Sequence, residues 1–210
     1  MRIAPPLAAM TRLVSNDSIT QGITVQTSYW LAAAIVILCI GLQYAGLDDT
    51  LRYLREPIGN GQWWLLLSGN FVHLGPSHLW MNSAGLILVV ALVWQHFGAM
   101  EWTIITVLSS LAVGIGLYLF DPEVFAYVGF SGTLHGLIIA GAIADLRTYP
   151  KSAALLLALV AAKLAWEQVF GPLPGSESVA GGSVVVNAHL YGAIAGALLA
   201  PTLLMIRTRR

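Results

Sequence analysis

The sequence predicts an all-α membrane protein, a bundle of six spanning helices with little mass outside the bilayer. Three observations predict it. Hydrophobic residue types make up 57% of the 210 residues and charged types only 10%, against about 25% charged in an ordinary soluble domain. The mean hydropathy is +0.76. The apolar residues fall into six runs, each close to the ~20 residues that a bilayer requires. A soluble domain must cover its surface with polar groups, and this composition lacks them, which excludes a soluble enzyme and a disordered linker. Ten Lys and Arg balance ten Asp and Glu, so no basic field is offered to nucleic acid. The one cysteine, Cys39, has no partner for an internal disulfide.

Taken in order, residues 1–28 are polar and unpatterned and read as a cytoplasmic N-terminal tail. They do not read as a signal peptide, because the first apolar run starts too late and continues too long. The expected spans are 29–47, 78–97, 102–120, 131–147, 152–170 and 185–206, so 29–206 forms one membrane domain. The loop over 48–77 contains Gln62-Trp63-Trp64-Leu65-Leu66-Leu67, which is too short to span and too apolar for water. Its tryptophans suit the outer interface. With the N-terminus inside, the inner segments carry Arg2, Arg12, Arg147, Lys151, Arg207, Arg209 and Arg210, and the outer ones only Arg52 and Arg55. Seven positive charges against two predict both termini inside. Spans two, four and six then all begin at the outer face.

Polar side chains inside spans are costly and are functional candidates. His78 and Asn82 open span two at i, i+4 spacing and share a helix face. Ser131 opens span four within Gly129-Phe130-Ser131-Gly132, His135 follows one turn later, and His189 lies near the start of span six. Span order alone brings these groups to similar depth. Gly132 and Gly136, and Gly192 and Gly196, are small-xxx-small steps that let helix backbones approach closely in lipid. A packing of spans four and six through these faces puts Ser131 within reach of His189; the alternative is that the glycines only pack helices. Gly129 and Gly132 also disfavour regular helix, so span four is expected to begin below the membrane surface. A serine at such a start faces unpaired backbone N–H groups. These residues supply a nucleophile (Ser131), a base (His189) and oxyanion donors (His78, Asn82 and the Ser131 N–H). No acid accompanies the three helix starts, so a dyad is expected rather than a three-member arrangement. In span five, Lys163 and Glu167 at i, i+4 read as a structural ion pair, or Glu167 contacts a substrate.

On three separated motifs the chain resembles the rhomboid intramembrane serine proteases. The first is His73, His78 and Asn82; the second is Gly129, Ser131 and Gly132; the third is Ala188, His189, Gly192 and Gly196. The resemblance spans roughly 45–206. It implies a six-helix rhomboid-like bundle in a bacterial inner membrane, with its site toward the periplasmic side. It implies cleavage of the membrane segments of membrane-anchored proteins by a Ser131–His189 dyad, with His78 and Asn82 at the oxyanion and no metal or other cofactor. Two positions depart from the common pattern. Trp64 is followed by Leu65 where many members carry arginine, so that arginine's structural bonds are expected to be missing. The common tyrosine four residues after the serine is His135, which suits a role stacked against His189 and orienting it. The Gly-Phe-Ser-Gly-Thr-Leu-His-Gly run looks like the rhombosortase branch, associated with proteins ending in Gly-Gly, an apolar helix and a basic tail.

The competing reading is a histidine-rich membrane metal-binding or transport protein using His73, His78, His135 and His189, since imidazole is the commonest metal-ligating side chain. Against it, no carboxylate or thiolate is expected at that level, and Ser131 has no place in such a site.

Overall fold

The computed structural model describes residues 27–208. The expected tail over 1–28 therefore lies outside the described residues, except that 27 and 28 already belong to the first helix. Arg2, Arg12, Arg209 and Arg210, which entered the charge count, also lie outside them.

The chain folds into a helical bundle. Helix α1 (Thr27–Tyr44) is followed by a structured loop holding α2 (Asp48–Leu51), β1 (Tyr53–Leu54), α3 (Arg55–Gly59) and α4 (Leu65–Ser68). Then come α5 (Pro76–Val93), α6 (Ala99–Phe120), β2 (Ala126–Tyr127), α7 (Ser131–Asp145), α8 (Pro150–Phe170), α9 (Ser176–Ala180) and α10 (Val186–Thr208). Among the described residues, five helices are long and apolar enough to cross a membrane: α1, α5 with its following turn, α6, α8 and α10. The fourth expected span is α7, with only 15 residues. It starts at Ser131, as expected, and lies at the centre, with Thr133, Leu137 and Ala140 fully buried.

Local chemistry explains several boundaries. Pro76 and Pro150 occupy the first positions of α5 and α8, where a missing N–H costs nothing. The Glu101 carboxylate accepts the Gly98 N–H at 2.7 Å and holds the start of α6. Gly171, at φ 82°, closes α8 in the left-handed region that glycine tolerates.

Helices α7 and α10 share the most extensive contact in the bundle. A Cβ at Gly192 would land on the Gly132 carbonyl, and one at Gly196 on the Gly136 carbonyl. The two backbones therefore touch directly, as the small-xxx-small steps predicted. Away from this seam, Trp94 stacks on Trp102 with centroids 4.1 Å apart and accepts its indole N–H through the backbone carbonyl at 3.0 Å.

The loop between α1 and α5 is not a flat interfacial ribbon. Trp63 and Trp64 are exposed at 69% and 57%, but Leu65 and Leu66 turn into the protein. Strands β1 and β2 pair antiparallel, Tyr53 opposite Tyr127 and Leu54 opposite Ala126. Arg55 reaches across to the end of α6. Its guanidinium donates to the carbonyls of Leu117 (2.6 Å), Asp121 (2.7 Å), Tyr118 (3.0 Å) and Val124 (3.2 Å). The last carbonyls of a helix lack intrahelical partners, so one cation satisfies the end of α6. The loop thus has its structural arginine nine residues before Trp64, not after it. Deeper in, Asn70 donates to the Ser110 carbonyl at 3.1 Å and accepts the Thr133 hydroxyl at 3.3 Å, which ties the loop to α6 and α7.

Gly196→Leu should force α7 and α10 apart. Overpacking typically costs about 1–3 kcal/mol, and a backbone carbonyl cannot yield as a side chain can. Thermal unfolding in detergent should show a midpoint lowered by several degrees, whereas Gly41→Leu, with nothing within 4 Å of its Cβ position, should leave it unchanged. Arg55→Ala should also lower the midpoint, by the equivalent of about 1.5–3 kcal/mol for lost charge-assisted bonds. An unchanged midpoint would show that the carbonyls at the end of α6 do without the guanidinium.

Candidate active site

Helices α5, α7 and α10 begin at one face of the bundle, and α8 ends there. Their polar residues line one cavity of about 290 Å³, which includes His78, Asn82, Ser131, His135, Glu167 and His189. All six candidate site residues are brought together.

Ser131 is the first residue of α7, after Gly129 at φ 122°. A side chain at Gly129 would be strained and would collide with the His78 ring. The turn is held from both sides. The Gly129 N–H donates to the Gly69 carbonyl at 3.0 Å, and the Tyr127 hydroxyl donates to the Gly129 carbonyl at 2.7 Å. Burial pushes the Tyr127 hydroxyl well above its ordinary range, so it stays protonated and a donor.

His189 Nε2 lies 3.0 Å from Ser131 Oγ. Its Nδ1 lies 2.9 Å from Glu167 Oε2. The carboxylate can only accept, so Nδ1 carries the proton and Nε2 offers its lone pair to the serine hydroxyl. The other carboxylate oxygen, Oε1, accepts Lys163 Nζ at 2.7 Å, and the ammonium lies 3.3 Å from His189 Nδ1. An acid is therefore present where none was expected. The reason is directional: α8 runs opposite to α7 and α10, so a residue near its end reaches the level of their starts. Counting helix starts alone could not find it. Glu167 is 3% exposed, and its two oxygens face Lys163 and His189, which is the ion pair expected of the i, i+4 spacing with a second contact added.

His135 stacks on His189, with ring centroids 4.3 Å apart at 22°, and its Nδ1 donates to the Ser131 carbonyl at 2.7 Å. His135 and His189 thus sit face to face. His78 Nδ1 accepts the Leu74 N–H at 3.4 Å, which leaves Nε2 as an N–H donor. Asn82 Nδ2 donates one hydrogen to the His78 carbonyl at 3.2 Å and keeps a second.

His73, the first histidine of its motif, packs edge-on against His78 with centroids 5.1 Å apart. Burial, with the neighbouring His78 adding to it, pushes its pKa down to about 3, so the ring is neutral. The four histidines of the metal reading do not converge. Among the described residues, the one group with metal-ligand spacing is His135, Glu167 and His189, whose ligand atoms lie within 4.8 Å of one another. The Lys163 ammonium occupies the same cluster and repels a cation.

Tyr127, Arg55 and Gly69 escaped sequence reasoning. Their roles depend on pairing across the loop, and a two-residue strand leaves no periodic signal.

A rhomboid domain model matches residues 60–206. Over 177 residues the chain is 25% identical to the rhomboid protease GlpG of Yersinia enterocolitica, covering 81% of this chain and 61% of that protein. It is 29% identical over 89 residues to YdcA of Bacillus subtilis, named as a rhomboid protease, covering 42% of this chain and 45% of that protein. A stretch of 125 residues is 30% identical to a heme A synthase of Halalkalibacterium halodurans, covering 51% of this chain and 39% of that protein. The chain thus spans 39% to 61% of the length of these curated relatives. The matched region holds Ser131, His189 and every other residue of the cavity's polar wall except Arg52, and on that extent the chain belongs to the rhomboid family.

Proposed function

We propose that this protein is an intramembrane serine endopeptidase that cuts the membrane segments of protein substrates, with Ser131 as nucleophile and His189 as base. The observation that carries the reading is the 3.0 Å contact between Ser131 Oγ and His189 Nε2 on the wall of an apolar-lined cavity. His189 removes the hydroxyl proton as Oγ attacks the scissile carbonyl carbon. The carbonyl oxygen becomes an oxyanion, received by His78 Nε2–H, the free Asn82 N–H and the Ser131 backbone N–H, fixed donors that cost no reorganisation. The C–N bond then breaks, His189 delivers its proton to the leaving amine, and an acyl ester remains on Ser131. Water, deprotonated by His189, releases the acid.

In this reading α7 joins the five long helices to make six spans, both termini face the cytoplasm, and the cavity opens toward the outer side of a bacterial inner membrane. Arg147, Lys151 and Arg207 on the opposite side from Arg52 and Arg55 support that orientation. The Gly129 to Gly136 run and the compact bundle favour the rhombosortase branch and substrates ending in Gly-Gly, an apolar helix and a basic tail.

Ser131→Ala and His189→Ala should each lower turnover of such a substrate by at least about 10⁴-fold, since dyad members act as a unit. Asn82→Ala should cost about 10²–10³-fold. His135→Tyr keeps the stacked ring and loses one hydrogen bond of about 1 kcal/mol, so it should cost no more than about tenfold. Labelling of Ser131 by a fluorophosphonate, followed by mass spectrometry, checks the nucleophile directly. Wild-type cleavage by Ser131→Ala would end the proposal.

The branch assignment has its own test. A substrate with Gly-Gly before its apolar helix should be cut in co-expressing cells, and the same substrate with Gly-Gly replaced by Leu-Leu should not. Equal cleavage of both would remove the rhombosortase assignment and leave the protease reading standing.

A further inference from the structure

We propose that Glu167 and Lys163 are positioning residues that set the tautomer and basicity of His189, so that the site works as a Ser131–His189–Glu167 triad with Lys163 as its counterweight. The inference rests on the serine protease reading above.

The geometry exceeds what an ion pair needs. A carboxylate buried in a spanning helix is costly alone, and Lys163 one turn earlier on α8 meets that cost through Oε1 at 2.7 Å. One oxygen suffices for that contact. The second, Oε2, lies 2.9 Å from His189 Nδ1 on another helix. It holds the proton on Nδ1, so that Nε2 faces Ser131 as an acceptor. It also stabilises the imidazolium that forms when His189 takes the serine proton. A bare carboxylate in a low-dielectric site would do this too well and leave the ring protonated before substrate arrives. The Lys163 ammonium, 3.3 Å from the same nitrogen, offsets that pull. At rest the three side chains sum to zero charge.

The charged and titratable groups facing His189 are few. Lys163 and Glu167 come from α8, Ser131 and His135 from α7, His78 from α5 and Tyr127 from β2. Among the described residues α6, which also packs on α10, contributes none to the cavity wall, and Arg52 at its rim is paired with Asp48 and Asp49.

The two charges act on His189 in opposite directions, and that is testable. The test measures kcat and KM against pH in detergent micelles, with thermal midpoints alongside. In Glu167→Gln, Lys163 still claims the amide oxygen, so the amide N–H₂ is turned toward His189 and favours the wrong tautomer. Turnover should fall by about 10²–10⁴-fold with little change in KM. The acid limb of kcat/KM should move to lower pH by about one unit or more, because a negative charge beside the base is gone. Lys163→Met should move the same limb to higher pH and keep most of the plateau rate. In Lys163→Met/Glu167→Gln the amide is free to present its oxygen to Nδ1, so this double variant should be faster than Glu167→Gln alone. It carries no unpaired charge, which makes it the control for a folding defect in the single variant.

A double variant with wild-type kcat overturns the proposal. So do single-variant losses that track the thermal midpoints with no shift of the limb, which mark a purely structural ion pair. A Lys163→Met variant as inactive as Ser131→Ala would make the lysine the base and also overturn it. These outcomes are separable from failure of the underlying reading. If Ser131→Ala and His189→Ala are inactive while the pH profiles do not move, only the positioning role is lost. If Ser131→Ala cleaves normally, the protease reading itself is gone.

Discussion

The site depends on how closely two helices approach. Ser131 and His189 lie on α7 and α10, 58 positions apart in the chain, and meet at 3.0 Å. A side chain at Gly132, Gly136, Gly192 or Gly196 would collide with the facing helix. Lipid gives no hydrophobic drive to bring helices together, so contact must come from packing itself. Direct backbone contact is also the stiffest kind of packing, since no rotamer can adjust to relax it. The glycines therefore do more than permit contact; they fix the depth at which a serine on one helix faces a ring on the other.

A second constraint acts on the turn that presents Ser131. Gly129 is pinned by Gly69 from the loop and by Tyr127 from β2. That loop is in turn clamped to α6 by Arg55 and to α6 and α7 by Asn70. Its position in the chain suggests a peripheral connection, but its bonds make it part of the bundle. Polar backbone at membrane depth survives only where protein satisfies it, and this loop's Arg55 satisfies carbonyls at the end of α6.

Most of the bundle was legible in the sequence because spanning helices announce themselves by length and composition. The observed α5, α6, α8 and α10 start within three residues of their expected positions. The meeting of Ser131, His78, Asn82, His135 and His189 was legible from span order. What escaped was anything decided by the far ends of helices or by pairing across a loop. Glu167 was visible as an intramembrane acid paired with Lys163, but its contact with His189 was not, because the other helices were read from their starts and α8 meets them with its end. Arg55 was counted as a surface charge, although four carbonyls take it. The β1–β2 pair is two residues long and has no signature that alternation could reveal.

The shortness of α7 has a consequence for where water can be. Fifteen residues rise about 22 Å, about 8 Å less than the hydrocarbon thickness of a typical bilayer. A lipid-facing helix of that length would have to thin the membrane around it or tilt its neighbours. Here α7 is sheathed by the longer helices, so its deficit is not felt by lipid but appears inside the protein, as a well above Ser131. The cavity encloses about 290 Å³ against walls that are mostly apolar, about ten waters' worth of space. A short helix enclosed by longer ones thus opens a cavity beside Ser131 without shortening any helix that faces lipid.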